Sequence, residues 1–410
     1  MAALVGGSQQ PGTSTQLVVT LVGGGNSTHC LAPLLAAAGF PVNILTRRPE
    51  AWNKDEITVV NEDLKWIRAT KISCKPNLIT SDPSECIPQS DIIWFAGVPI
   101  HHNPALLQKI KAHLNPNRHV FIGTICCYGG FEWVVRRELG PGNYSCFGTQ
   151  LIPWCCGTVE YGNTGVIFGA KRMLRVVTSC GYDRLGLKSI LAPILRQDLR
   201  DTHFLASTLW PNNSSLHPPI LYGLFKDWDG VTGYEAGSLP IRIYAEMSES
   251  SAKCVCQMDE ELCAIVAALR LVYPNDVHLQ SSFSMKDCVI ENYTDQVKDK
   301  STTATCVSTN TAFGKHNIPY TTLSNGKIVP TLKHKFFETD LPFGLVTFKD
   351  IATMCEVKTP LIDAMILWNQ KLIDKNYLND DFSAGKDIEE AIVPSRMGYT
   401  LGEGPTSILS

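Results

Sequence analysis

The stretch LVGGGNSTHC, residues 21–30, places three consecutive glycines between a β-branched run and a helical pattern. The preceding QLVVTLV (16–22) predicts a strand, and THCLAPLLAAAGF (28–40) predicts a helix whose leucines share one face and which Gly39 ends. A second strand, PVNILT (41–46), follows. Strand, glycine turn, helix and strand in this order predict a parallel βαβ unit whose turn binds a phosphate group.

The individual residues of this turn suit a dinucleotide. We expect Gly23 to permit the tight turn, Gly25 to let backbone N–H groups approach a pyrophosphate, and Asn26 to join them at the helix N-terminus. Thr28 takes the third small position, and because it is bulkier than Gly or Ala we expect a wider contact between strand and helix. A Gly-x-Gly spacing by itself is also compatible with a plain tight turn.

The end of the second strand bears on the choice of cofactor. Strands that hold the ribose hydroxyls of NAD usually end in Asp or Glu, whereas this one ends in Thr46, Arg47 and Arg48. Two guanidinium groups suit the 2′-phosphate of NADP. The arginines are equally compatible with a solvated loop, so the sequence leaves NAD and NADP both open.

Further apolar segments extend the unit into a sheet. DIIWFAGVP (91–99) and HVFIGTIC (119–126) are continuous apolar runs, typical of parallel strands covered on both faces, and NPALLQKIKAHL (103–114) between them has helical spacing. GVIFGAKRMLRVVTSCG (165–181) predicts another strand followed by a helix. These patterns predict an α/β domain of the Rossmann type.

Ligands of open α/β sheets gather beyond the carboxyl ends of the strands. We therefore expect Val98 and Pro99, with His101, His102 and the loop 126–130, to lie near a bound nicotinamide.

The second half of the chain has a different pattern. Segments 216–225, 256–273 and 350–373 have helical spacing, and a long polar insert, 298–330, interrupts them. A chain of 410 residues is long enough for two domains. We divide it into a disordered leader (1–15), a dinucleotide-binding domain (16–204) and a helical substrate and catalytic domain (205–410).

The composition excludes several classes of protein. A net charge of −3 provides no basic surface for nucleic acid, and the sequence has neither a secretory signal nor an apolar run long enough to cross a membrane. The 15 cysteines include no CxxC pair, so we expect reduced thiols and no metal site. We predict a cytoplasmic protein, monomeric or homodimeric, that binds small molecules.

Two residues of the second half are candidates for acid and base chemistry. His217 lies in SSLHPPILYG, where the following prolines predict an extended backbone just before a helix, and Asp340 lies in the largely apolar FFETDLPFG. A histidine beside a carboxylate forms an acid/base pair that works near neutral pH. Each residue alone is also compatible with a structural role, His217 in the core and Asp340 as a cap or turn residue.

Five motifs resemble the opine dehydrogenase family over residues 16–400. They are GGGNSTH (23–29), IPWCC (152–156), NSSLHPPILYGLFKDWDG (213–230), FFETDLPFGLVTF (336–348) and PSRMGYT (394–400). The resemblance implies an N-terminal Rossmann domain joined to an all-helical domain. It also implies an enzyme that uses NAD(P)H to condense a 2-oxo acid, commonly pyruvate, reductively with the amino group of an amino acid.

The resemblance also implies roles for individual residues. The family's catalytic histidine corresponds to His217 and its partner carboxylate to Asp340. Lys335 stands where octopine-type members carry an arginine that contacts the cofactor pyrophosphate, so the charge is kept while the planar fork is lost.

The resemblance implies a substrate site as well. Cys156 matches the cysteine of the amino-acid site, Tyr128 approximately matches its glutamine, and Asn213 is assigned to the same site. Gly157 replaces a usual arginine, so we do not expect arginine as the amine.

Two other functions remain compatible with the sequence. One is a dehydrogenase of the same two-domain plan that acts on glycerol 3-phosphate or a ketopantoate-like 2-oxo acid. The other is a non-catalytic protein that senses NAD(P)H, which the departures at Thr28, Lys335 and Gly157 would allow.

Overall fold

The computed structural model describes residues 16–179, 184–281 and 283–402. The predicted disordered leader, residues 1–15, lies outside the described residues, and so do the last residues of the chain, 403–410.

The strands form two sheets and one hairpin. In chain order they are β1 (Val19–Val22), β2 (Val42–Leu45), β3 (Ile57–Asn61), β4 (Lys71–Cys74), β5 (Leu78–Thr80), β6 (Ile92–Phe95), β7 (Val120–Thr124), β8 (Tyr144–Thr149), β9 (Trp154–Glu160), β10 (Thr164–Ala170), β11 (Met173–Thr178), β12 (Asp198–Thr202), β13 (Tyr320–Thr322) and β14 (Ile328–Pro330). The large sheet has eight strands in the order β12-β11-β8-β7-β6-β1-β2-β5, and the smaller one has the order β4-β3-β10-β9.

The helices surround the large sheet and form most of the second half. They are α1 (Asn26–Ala37), α2 (Asn103–Lys111), α3 (Phe131–Leu139), α4 (Arg184–Leu195), α5 (Phe204–Leu209), α6 (Asn213–Phe225), α7 (Glu249–Val272), α8 (Met285–Tyr293), α9 (Thr303–Ser308), α10 (Lys335–Glu338), α11 (Val346–Met354) and α12 (Pro360–Leu372). A π-helical turn, Leu341–Leu345, connects α10 to α11.

The order of the large sheet places a ligand cleft beside β1. Strand β1 is parallel to β2 on one side and to β6 on the other, so the direction of strand order reverses at this point. All four residues of β1 and of β6 are buried, as expected for strands covered on both faces. The loops that follow these two strands therefore meet at one edge of the sheet, where dinucleotides bind in this class of fold.

The prediction for residues 165–181 is wrong in its second half. The described part of this segment contains two strands, β10 and β11, that belong to different sheets. Residues 180 and 181 of the predicted helix lie outside the described residues, and the next described helix is α4, Arg184–Leu195. Strand β11 lies between β8 and β12, with Val176 and Val177 buried. Pairing on both sides and burial of β-branched residues favour a strand over the helix that the short apolar pattern suggested.

The second half is mainly helical, and the predicted fold class, an α/β domain followed by a helical domain, is confirmed. The polar insert 298–330 contributes the short helix α9 and the hairpin β13–β14, which is the one sheet element of the described residues beyond Thr202. We keep the division after residue 204 as a proposal; this position falls inside α5.

The described residues contain neither a membrane-spanning helix nor a metal-binding cluster. No helix among them combines the length and the apolar character needed to cross a membrane. In the same part of the chain, no group of three or more His, Cys, Asp and Glu side chains is arranged to hold a metal ion.

Candidate active site

A cavity of about 390 Å³ lies between the carboxyl edge of the large sheet and the helical part of the chain. The sheet side contributes Gly25, Asn26, Val98, Pro99, Cys126, Tyr128, Cys156 and Lys171, and the helical side contributes Asn213, His217, Tyr244, Tyr293, His316, Lys335 and Phe336. Nine of the residues predicted for cofactor, substrate or catalysis are thus brought together around one space. Gly23, Arg47, Arg48 and Asp340 are not part of the cavity wall.

The glycine loop has the backbone geometry that its sequence predicts. Gly23 has φ +110°, a backbone conformation that residues other than glycine rarely adopt. Gly25 lies against the loop after β6: its N–H donates to Gly97 O at 3.0 Å, and a Cβ on Gly25 would lie 2.5 Å from the same oxygen. The glycines therefore allow the loops after β1 and β6 to approach closely, which leaves the N-terminus of α1 facing the cavity.

Thr28 joins the helix to the glycine loop by hydrogen bonds. Its side chain is fully buried, and its hydroxyl lies within hydrogen-bonding distance of Gly23 O at 3.0 Å and, closer still, of Ala96 O. The hydroxyl thus connects α1 to the loops that follow β1 and β6. The wider contact between strand and helix that we expect from the volume of Thr28 stays a prediction.

The side chain of Asn26 is engaged by the small sheet. Its Oδ1 accepts from the Thr158 hydroxyl at 2.8 Å, and its Nδ2 donates to Cys156 O at 3.5 Å. Any contact of this residue with a pyrophosphate therefore falls to its backbone N–H, one of the first N–H groups of α1, which have no partner within the helix.

Arg47 and Arg48 are exposed at the end of β2. The Arg48 guanidinium lies 4.3 Å from the centre of the Tyr161 ring, which belongs to the turn between β9 and β10. Arg47 lies near His102. Burial of His102 lowers the pKa of its imidazole most, and the positive charge of Arg47 lowers it further. The two arginines thus form a positively charged rim beside the glycine loop, and the lowered pKa of the neighbouring His102 favours its neutral form.

His217 and Asp340 meet although 123 residues separate them in the chain. His217 Nδ1 lies 2.7 Å from Asp340 Oδ2, and both side chains are almost fully buried. On the other side of the imidazole, Nε2 lies 2.7 Å from the Tyr244 hydroxyl. The Phe336 ring packs against the imidazole with 3.9 Å between ring centres.

The backbone around His217 differs from our expectation. The residue lies within α6 and not in an extended segment before it, even though Pro218 and Pro219 follow. A capping box formed by Asn212 and Ser215 begins the helix four residues earlier, satisfying its first N–H groups. This cap and the burial of α6 outweigh the weak preference of a residue before proline for extended backbone.

Asp340 does not act as a helix cap. Its side chain makes no capping hydrogen bond and points instead to His217, while its carbonyl accepts from Leu345 N at 3.0 Å within the π-helical turn. The extra residue in that turn is typical of functional sites in helices.

The protonation state of the pair follows from its surroundings. Burial lowers the pKa of His217, and the charge of Asp340 and its hydrogen bond oppose this shift. The neutral imidazole then donates from Nδ1 to the Asp340 carboxylate and accepts at Nε2 from the Tyr244 hydroxyl. This arrangement can take up and release a proton at Nε2, the atom on the cavity side.

The predicted substrate residues line the cavity as well. Tyr128 is buried, which raises the pKa of its phenol, and the side chain of Asn213 is hydrogen bonded to it. The pKa of the Cys156 thiol is lowered, chiefly by a hydrogen bond from Cys30 and further by Ser27 and Lys335. Lys335 itself is exposed at the mouth of the cavity.

Sequence reasoning missed several side chains of this site, among them Tyr244, Tyr293, His316 and Lys171. Tyr244 and His316 lie in irregular segments without a motif, Tyr293 ends α8, and Lys171 follows β10 in a segment whose second half we assigned to a helix. A lysine directly after the apolar run 165–170 was the one signal that the sequence offered.

Comparison with known proteins shows which proteins this chain resembles. Residues 200–373 match the family model for the alpha-helical domain of NAD/NADP octopine/nopaline dehydrogenases. The chain is 29% identical to the tauropine dehydrogenase of Arabella iricolor over 93% of its own length and 98% of that protein. It is also 29% identical to an opine dehydrogenase of Haliotis discus hannai, over 96% and 99% of the two chains.

Solved structures of octopine dehydrogenase have the same fold as this chain. An octopine dehydrogenase with NADH and L-arginine has a TM-score of 0.78 at 24% identity, over 96% of this chain and 98% of that one, which shows a shared fold. The same enzyme with NADH and pyruvate has a TM-score of 0.76 at 25% identity, with the same coverage. The expected resemblance to the opine dehydrogenases is confirmed: residues 200–373 match the model of their alpha-helical domain, and nearly the whole chain is similar to curated opine and tauropine dehydrogenases.

Proposed function

We propose that this protein catalyses the NAD(P)H-dependent reductive condensation of a 2-oxo acid with the amino group of an amino acid. The observation that carries the proposal is the buried pair His217 and Asp340, whose imidazole presents Nε2 to a cavity that the glycine loop also lines. The curated relatives are named tauropine, opine and octopine dehydrogenases, and the octopine dehydrogenase structures hold NADH with arginine or pyruvate.

The chain's own residues fit a dinucleotide. The positive φ of Gly23, the close approach of Gly25 to Gly97 and the N-terminus of α1 form a cradle that a Cβ would fill. In our proposal the backbone of this loop holds the pyrophosphate, with Lys335 opposite, and Val98 and Pro99 lie beside the nicotinamide. When bound, the nicotinamide supplies the hydride of the reaction.

His217 manages the proton. Condensation of the oxo acid with the amine gives an imine and releases water, and reduction of the imine carbon gives a secondary amine. An acid that protonates the carbonyl oxygen or the imine nitrogen makes the attached carbon more electrophilic. In the reverse direction the same acid/base group must accept that proton. Protonated His217, stabilised by the Asp340 carboxylate, donates from Nε2 once the substrate has replaced Tyr244 there.

Asp340 and Tyr244 favour opposite protonation states of this histidine. The carboxylate fixes the proton on Nδ1 and favours the imidazolium form, while the Tyr244 hydroxyl, donating to Nε2, favours the neutral form. We propose that Cys156, Tyr128 and Asn213 contact the amino acid, since all three line the same cavity.

The experiment measures the oxidation of NADH and of NADPH by purified protein. Pyruvate is offered alone, and then with alanine, glycine, taurine, β-alanine or arginine. Oxidation that requires both the oxo acid and an amine supports the proposal, and the faster cofactor decides between NAD and NADP. Oxidation with pyruvate alone would indicate an oxo-acid reductase, and cofactor binding without any turnover would indicate a sensor.

A variant separates catalysis from binding. His217→Ala should lower kcat by about 10²- to 10⁴-fold, the usual contribution of a general acid, while the fluorescence titration with NADH stays unchanged. A fall in NADH affinity of similar size would show that His217 acts through the fold and not on the proton.

A further inference from the structure

Lys171 is a buried cation that the proton chemistry does not use. It is 5% exposed, follows β10 and lines the cavity. Its backbone is fixed, because Lys171 N donates to Pro153 O at 3.0 Å and the neighbouring Ala170 O accepts from Gln296 Nε2 at 2.8 Å. The next residue, Arg172, forms an ion pair with Asp63, whereas the Lys171 side chain turns into the cavity.

The surroundings of the Lys171 ammonium leave its charge without a counter-ion. Within the described ranges, no carboxylate lies within ion-pairing distance of it. One proton is donated to Ile152 O, and the Tyr293 ring centre lies 5.0 Å from Nζ. Since an ammonium carries three donors, two remain for a ligand. A buried charge held only by a carbonyl and a ring is costly unless an anion completes it.

The charge of the whole cavity points the same way. None of the described residues that line it is Asp or Glu, and its two lysines are Lys171, whose pKa is lowered by burial, and Lys335. The two act on the same space, because both contribute to lowering the pKa of Cys156 and of His316. Lys335 is exposed at the mouth, while Lys171 is at the buried end.

We propose that the Lys171 ammonium binds an acid group of the substrate, a carboxylate or the equivalent sulfonate, and so fixes the substrate relative to His217. This inference rests on the proposed function, in which both substrates carry an acid group. The bound acid group belongs either to the oxo acid or to the amine substrate. The KM for the oxo acid and the KM for the amine, measured separately, distinguish these two possibilities.

The test compares Lys171→Met with Lys171→Arg in the complete protein. Loss of one charge-assisted contact should raise KM for one substrate about 10- to 100-fold in K171M, with partial recovery in K171R. A rise in KM for pyruvate assigns the acid group to the oxo acid, and a rise for the amine assigns it to the amino acid. The exposed Lys300→Met is the matched control and should change neither constant.

Neutral analogues test the same contact without relying on a single variant. If Lys171 binds the carboxylate of pyruvate, wild-type protein should use methyl pyruvate about 10- to 100-fold less well than pyruvate. If Lys171 binds the carboxylate of the amino acid, wild-type protein should use alaninamide about 10- to 100-fold less well than alanine. In K171M this preference should disappear. If K171M does not fold, the wild-type comparison still decides: equal use of both acids and both neutral analogues would overturn the proposal.

Binding of oxamate, an unreactive pyruvate analogue, to the protein with NADH gives a readout that does not depend on turnover. If wild-type protein binds oxamate or alanine but shows no reaction, the proposed function fails while the anion site stands. If K171M keeps the wild-type affinity for oxamate and for alanine together with unchanged KM values, Lys171 is not the anion site, whatever the protein catalyses.

Discussion

His217 joins Asp340 and Tyr244 across one imidazole ring: Nδ1 lies 2.7 Å from the Asp340 carboxylate, and Nε2 lies 2.7 Å from the Tyr244 hydroxyl. The two partners favour opposite protonation states, because a carboxylate stabilises the imidazolium and a hydroxyl that donates to Nε2 stabilises the neutral ring. The acid and base chemistry at this site is therefore set by two neighbours that can be changed one at a time.

Asp340→Asn should move the pH profile to lower pH. Burial already lowers the pKa of His217, and Asp340 is the partner that raises it. Reduction needs protonated His217, so kcat falls as pH rises through its pKa, and without the carboxylate this fall should begin at lower pH. The measurement is kcat against pH in the reductive direction. An unshifted profile would show that Asp340 does not act on the titrating group.

Tyr244→Phe should move the pH profile of kcat/KM to higher pH, because kcat/KM reports the free enzyme, in which Tyr244 contacts Nε2. Removing the hydroxyl that donates to Nε2 takes away a contact that favours the neutral ring, so the pKa of His217 in the free enzyme should rise. The reductive kcat/KM then persists to higher pH. A shift in the same direction as that of D340N would mean that the Tyr244 contact does not favour neutral His217.

Gly25→Ala should impair cofactor binding specifically. A Cβ here would lie 2.5 Å from Gly97 O and force the loops after β1 and β6 apart, at a cost of about 1 to 3 kcal/mol. We expect the Kd for NADH to rise about tenfold or more, measured by fluorescence titration.

Gly140→Ala is the matched control for this variant. Gly140 has positive φ, +70°, whereas Gly25 has φ −87°, and no atom outside the neighbours of Gly140 lies within 4 Å of its Cβ position. It should lose about 1 to 2 kcal/mol of stability from backbone strain alone and keep its NADH affinity. Equal loss of affinity in both variants would mean that the cofactor does not depend on the approach of Gly25 to Gly97.

Glu132→Gln should remove a pH dependence of stability. Glu132 is buried in α3, and burial raises the pKa of its carboxyl to about 8. The folded protein thus holds a proton that the unfolded chain releases above the ordinary glutamate pKa of 4.5, so this contribution to stability is complete below that pH and is lost as pH rises through the folded pKa.

The measurement for Glu132 is urea unfolding of both proteins at several pH values. The glutamine variant should gain on wild type as pH rises, by about 1 to 3 kcal/mol near pH 8. A constant difference between the two proteins from pH 5 to 8 would show that the Glu132 carboxyl does not titrate in this interval.

Local sequence predicts the N-terminal βαβ unit with its glycine loop better than it predicts the middle strands of the chain. Strand β1, the glycine loop and α1 follow from hydrophobic periodicity and turn chemistry within about 30 residues of chain. Residues 173–178 do not, because their strand is decided by pairing with β8 and β12, which a local pattern does not contain. The approach of Gly25 to Gly97 likewise depends on two loops far apart in sequence.

The candidate active site shows the same contrast. His217 and Asp340 were paired through the family resemblance, since nothing local connects residues so far apart, and the structure brings them together. Tyr244 lies in an irregular segment, and Lys171 lies between β10 and the misassigned strand β11. The fold alone brings both residues to the cavity. Thr28 is bulky for its position in the motif, but two carbonyl neighbours give its hydroxyl a role.

The central claim, reductive condensation, is tested most directly by the identity of the product. Purified protein is incubated with pyruvate, NADH or NADPH and an amine labelled with a heavy nitrogen isotope, and the products are identified by mass spectrometry. The account predicts a secondary amine that contains the pyruvate carbons and the labelled nitrogen, formed by wild-type protein and lost in H217A. Formation of lactate with the amine left unchanged would contradict it.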